Sequence, residues 1–174
     1  MANRGEGLEK YVLDRMRADG FLLMGKTDPP VRVLRYLPNN QFKGVYLQEG
    51  PLDLTGPADG YHCEIEVKDC KGMRWYFTKL RAHQYERMKN LHADGSLSGL
   101  ALRLRGASAN DDFVFFVPSA EVIRVKEAGA KSLHLNLLSQ MESEGRAVRH
   151  EYRRTGDVKL FLEKIKEGLD VPVE

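Results

Sequence analysis

Asp53, Glu66 and Lys68 are the residues of this chain whose types and spacing suit phosphodiester chemistry. Asp53 is followed by a turn-rich stretch, Leu54-Thr55-Gly56-Pro57-Ala58-Asp59-Gly60, and then by His62-Cys63-Glu64-Ile65-Glu66-Val67-Lys68, which reads as a strand. Side chains alternate along a strand, so Glu66 and Lys68 share one face while Ile65 and Val67 point into the core. Two carboxylates can hold a hard cation such as magnesium, with manganese as the alternative, and an ammonium can lie beside the water or phosphate they share. There the lysine would offset charge on the phosphate under attack or orient the water. Each residue also has a plainer reading. Glu-x-Lys is commonly a solvated strand face, and an aspartate before Gly56-Pro57 is commonly a turn former.

The elements that must position these residues belong to a chain of 174 residues, enough for a single domain over 1–174 with a sizeable core. Hydrophobic content of 42% and charged content of 30% are those of a soluble globular protein. No apolar run is long enough to span a bilayer, and Met1-Ala2-Asn3-Arg4-Gly5-Glu6 lacks a signal peptide's apolar core, so a cytoplasmic protein with no membrane partner is expected. Cys63 and Cys70 have no second pair at zinc spacing and read as free packing thiols in a reducing compartment. The net charge of +2 is small, but its distribution is uneven. Lys68, Lys71, Arg74, Lys79, Arg81, Arg87 and Lys89 face only Asp69 and Glu86 over that stretch. A basic run leaving an acidic site suits a polyanion. A salt-bridged helix face is the other reading.

Periodicity predicts an amphipathic helix over 7–18, then a hairpin of strands 31–37 and 42–47 around Pro38-Asn39-Asn40, its entry stiffened by Asp28-Pro29-Pro30. Strands are expected over 61–68 and 73–77, a helix over 80–93, and apolar strands over 99–104 and 113–118. Helices follow near 119–125, 132–144 and 156–167, and Trp75 and Tyr76 read mainly as core. The order predicts an α/β fold with a mixed central sheet flanked by helices.

Three more segments accompany Asp53-x-x-Gly56 and Glu66-Val67-Lys68. They are Asn3-Arg4-Gly5 with Leu8-Glu9, Lys26-Thr27-Asp28-Pro29-Pro30-Val31, and His83-Gln84. Asp…Glu-x-Lys is the pattern of the PD-(D/E)xK nucleases, and the ordered set resembles the RecU family of Holliday junction resolvases over most of the chain. The resemblance implies a homodimeric, magnesium-dependent endonuclease that cuts four-way DNA junctions symmetrically, with a recombinase as a further partner. It implies Asp53, Glu66 and Lys68 as the nuclease core, Glu9 as an acid supplied by the first helix, and Gln84 as a supporting glutamine. It also makes the hairpin at about 28–49 a stalk that projects into the junction centre. Arg32, Arg35, Tyr36, Lys43 and Tyr46 interleave bases with aromatics there, as backbone contact and base stacking require. Arg4, Lys26, Lys71, Arg74 and His83 complete the expected DNA contacts. One departure is that Pro51-Leu52 precede Asp53, where the family has threonines. Two other functions stay open: a PD-(D/E)xK nuclease of the restriction or repair type, and a non-catalytic junction-binding protein.

Overall fold

Strand β5 (Tyr61–Lys71) is the axis on which the fold is built. Its alternation is strict: Cys63, Ile65 and Val67 are buried on one face, and Glu64, Glu66 and Cys70 on the other. In the computed structural model the described residues are 4–18, 24–25, 31–36, 42–46, 51–58, 60–106 and 112–152. β5 pairs antiparallel with β4 (Leu54–Ala58), Leu54 opposite Ile65, and parallel with β7 (Leu97–Arg105), Leu100 opposite Glu66. β8 (Asp112–Pro118) and β10 (Val148–Glu151) extend the sheet beyond β7, and β1 (Met24–Gly25) lies on the far edge of β4.

A parallel pair needs a crossover. Here it runs through β6 (Arg74–Tyr76) and helix α2 (Ala82–Ala93). α2 and α3 (Ser119–Glu127) cover one face, over a cluster that includes Trp75, Met88, Leu100, Phe115 and Val122. On the other face α1 (Arg4–Ala18) packs Leu8, Val12 and Met16, one stripe at four-residue spacing, against Ile65, Val67, Ala101 and Phe116. The expected mixed sheet between helices is therefore present.

Three expectations need correction, and one strand is new. The stretch after Asp53 is not a turn but strand β4. Its proline is tolerated because β1 pairs only with Leu54 and Thr55, leaving Pro57 without a neighbour on that side among the described residues. The helix expected over 132–144 is two elements, β9 (Ser132–His134) and α4 (Leu135–Ser143). Pairing with β6 holds 132–134 extended, and His134 Nδ1 then accepts the Leu137 N–H (3.3 Å) to start α4. β10 was not anticipated from sequence. Tyr76 is no core residue: Trp75 is 1% exposed but Tyr76 is 46% exposed, since alternation turns it outward.

The hairpin forms from β2 (Val31–Tyr36) and β3 (Phe42–Tyr46), antiparallel, with a register shift between Val33 and Arg35. Among the described residues these strands pair only with each other. Lys26 and the helix expected over 156–167 lie outside the described residues. Among those described, no helix is long and apolar enough to cross a membrane.

Candidate active site

Glu66 lies in mid-sheet, fully buried. An isolated ionised carboxylate there would cost several kcal/mol, so its partners decide its state. Oε1 accepts from Lys68 Nζ in a close ion pair and from Gln84 Nε2 at 2.5 Å. Lys68 Nζ also donates to Gln84 Oε1 (3.2 Å), which closes a triangle of acid, ammonium and amide. The Arg81 N–H donates to the same Gln84 oxygen (3.1 Å), so the start of α2 is fastened to the site. Lys68, two residues past Glu66 on one strand face, keeps 20% exposure and is the opening from this triangle to solvent.

Asp53 is buried at the foot of β4, and its Oδ2 accepts the Val67 N–H (2.9 Å). That bond carries the Asp53 carboxylate across to β5, beside Glu66. Burial, and then the charge of Asp53, push the Glu66 carboxyl up to about 7, against the opposing pull of Lys68. Glu66 Oε2 is buried and accepts no hydrogen bond. Two ionised carboxylates share no proton, so this pair calls for a proton or a cation between them. A hard cation held by oxygen ligands fits the donor set. Magnesium in particular takes one or two carboxylates and fills the remaining positions with water and substrate phosphate.

Glu9 is half-buried on α1, the helix that covers the Ile65 and Val67 face of β5. Among the described residues no group of three His, Cys, Asp or Glu stands ready to hold a metal, so a third ligand from α1 is not assembled with Asp53 and Glu66. His83 is half-buried beside Gln84, and Lys71 and Arg74 are exposed just past the site. For Arg4, Arg32, Arg35, Tyr36, Lys43 and Tyr46 the backbone is placed, but their side chains lie outside the described residues.

Sequence reasoning missed Glu64. It is 1% exposed and shares the face of Glu66. It accepts the Leu52 N–H (3.0 Å), His62 Nε2 (2.9 Å) and Arg87 Nε (3.1 Å), with a second, very close contact to Arg87 Nη2. Burial opposes its ionisation, but the bonds from Arg87, His62 and the Leu52 amide outweigh it and hold the carboxyl below its ordinary range. Two glutamates on one strand face are thus driven apart: Glu64 is a fixed anion, while Glu66 exchanges its proton near neutrality. The signal was available, because Glu64 has the parity of Glu66, and Arg87 follows Gln84 by one helical turn. Gln84 reaches Glu66 and Arg87 reaches Glu64, so α2 grips β5 at two successive rungs. Glu64 also holds the amide of Leu52, the residue before Asp53. Both cysteines are free and buried, and burial pushes the Cys63 thiol up to about 12, which leaves it inert.

Comparison with known proteins gives a family and a fold. The profile of the family described as RecU, recombination protein U, matches residues 3–155. The solved structure of Archaeoglobus fulgidus Hjc, described as a Holliday junction resolvase from an archaeal hyperthermophile, is similar with a TM-score of 0.50. Identity is 18%, and the match covers 83% of this chain and 98% of that one. At that identity the likeness is one of fold. No curated protein matches the chain.

Proposed function

The chain belongs to the recombination protein U (RecU) family, and we propose that it resolves four-way (Holliday) DNA junctions as a metal-dependent endonuclease. The observation that carries this reading is the buried Asp53–Glu66 pair with an unsatisfied Glu66 Oε2, flanked by a single ammonium. A purely structural acid would look like Glu64, with its oxygens engaged by donors.

Asp53 and Glu66 would hold the ion, magnesium by preference. When bound, it would supply an activated water and neutralise phosphate charge. Gln84 and the Val67 amide orient the two carboxylates. Lys68, at the solvent edge of the triangle, presents its ammonium to the phosphate and stabilises the charge that develops there. Glu9, on the opposite helix, is a candidate third acid. The hairpin formed by β2 and β3 acts as the stalk, and a homodimer would place two sites about a two-fold axis for paired cuts matching junction symmetry.

Cleavage of a labelled four-way junction against a linear duplex of the same sequence, with magnesium and with EDTA, tests the reading. Symmetric nicks in the junction alone, lost in EDTA and in Asp53→Asn while binding persists, are expected. Equal cleavage of the linear duplex would favour a restriction- or repair-type nuclease. Binding without cleavage in every metal would leave a junction-binding protein.

A further inference from the structure

Several cations of the described residues are neutralised by a neighbour: Arg87 by Glu64, Arg103 by Asp112, Arg105 by Asp69, Arg124 and Arg146 by Glu121. Lys71, Arg74, Lys79, Arg81 and Lys131 differ. All five are exposed and make no ion pair among the described residues. They come from two distant segments, brought together where β6 pairs with β9, Tyr76 opposite Ser132, and where the Phe77 N–H donates to the Lys131 carbonyl (3.1 Å). Buried Trp75, paired with buried Leu133, anchors this ribbon, which is why Arg74 and Tyr76 point outward. No acidic residue occurs between Asp69 and Glu86 or between Glu127 and Glu142. The patch also touches the active site, since the Arg81 amide bonds Gln84, which bonds Glu66 and Lys68.

Unneutralised like charges repel one another and do nothing for the folded state, so a cluster of them points to a ligand that neutralises them. A protein partner would be met by apolar anchors. The only large hydrophobics exposed among the described residues are Tyr61 and Tyr76, and Tyr76 carries a hydroxyl that can donate to a phosphate. We propose that the exposed basic surface around β6–β9, with Lys71, Arg74, Tyr76, Lys79 and Lys131, is a sequence-independent cradle for the phosphates of a duplex DNA arm flanking the cut. This cradle rests on the nuclease reading for its location beside a scissile phosphate. It divides the work of binding: the cradle holds any duplex arm, and recognition of branching lies elsewhere.

The test is binding of a fluorescent linear duplex and of a four-way junction, in EDTA, across a salt series. The triple variant Lys71→Ala/Arg74→Ala/Lys131→Ala should weaken both DNAs by the same factor. The slope of log affinity against log salt should fall by about 1 per lost phosphate contact, so by up to about 3. Thermal stability should hold or rise, because repulsion is relieved. Lys131→Ala alone, which removes the charge furthest away in sequence, should lower the slope by about 1 and covers any folding defect in the triple variant. The charge-preserving Lys71→Arg/Arg74→Lys/Lys131→Arg should keep the wild-type slope, since counterion release counts charges. An unchanged slope in Lys131→Ala and the triple variant, or a loss confined to the junction, overturns the cradle. Because EDTA removes cleavage from the assay, the two readings fail separately. A falling slope in a protein that never cuts DNA would sink the nuclease and keep the cradle, and the reverse outcome would sink the cradle alone.

Discussion

Glu66 titrates where Glu64 does not, and the contrast makes its chemistry measurable. Burial and Asp53 raise the Glu66 carboxyl from an ordinary 4.5 to about 7. A raised carboxyl favours the fold in its protonated form, so its contribution is fully present below about 4.5 and is lost as pH rises through 7. Without divalent ions, stability should fall by about 2–3 kcal/mol between pH 5 and 8. Glu66→Gln, which cannot ionise, should lose that part of the dependence. Urea denaturation of both proteins in EDTA measures it, and parallel pH curves would show that the raised carboxyl is not real. A ligand carboxylate must also shed its proton, so cleavage should rise through the same window, with the rising limb moving to lower pH as magnesium increases. Lys68→Ala should slow single-turnover cleavage by roughly 10²–10³, the scale of losing one preorganised charge partner at a reacting oxygen. It should also move the pH limb upward, because the cation that favours ionised Glu66 is gone. Full rescue by excess magnesium would reduce Lys68 to a residue that assembles the site.

At the scale of elements, the grip of α2 on β5 decides whether the triangle forms. Arg87→Ala leaves the Glu64 carboxylate buried with part of its hydrogen bonding unmet, which should cost about 1–3 kcal/mol. The value belongs at the low end, since Arg87 itself is 43% exposed. A double-mutant cycle of Arg87→Ala with Glu64→Gln should show a coupling of about 1 kcal/mol or more, because each substitution removes the same contact. Additive losses would mean that the Arg87–Glu64 contact contributes nothing of its own. Cleavage should fall in Arg87→Ala even where the protein is fully folded, since Gln84 one turn earlier loses its fixed distance to Glu66. β6 and β9 illustrate the same dependence of one element on another: the strand over 132–134 exists because β6 lies opposite it.

For the molecule as a whole, the hairpin can be tested separately from the six-stranded sheet. Its strands share no ladder with the six-stranded sheet among the described residues. Replacing 31–46 by a short Gly-Ser turn should therefore leave the unfolding midpoint nearly unchanged while abolishing preference for junction over linear duplex. A hairpin-less protein that still selects junctions would return this element to a plain structural role. The strict alternation of β5, the stripe of α1 and the pairing of β2 with β3 were legible from residue types alone, because each follows from a pattern within a few residues. So was the pairing of Glu66 with Lys68 on one face. What lay beyond the sequence was which polar positions the fold would cover. The contacts that define the site join residues 14, 18 and 23 apart in the chain. Alternation puts Glu64 and Glu66 on the same face, but only the packing of α2 over that face gives one a guanidinium and leaves the other an oxygen unmet. Likewise, the residues 54–58 read as a turn and Tyr76 as core until pairing with β5 and β9 was formed. Local sequence encodes the direction of a side chain relative to its own backbone. Burial, charge state and partnership depend on elements that meet only when the whole chain has folded.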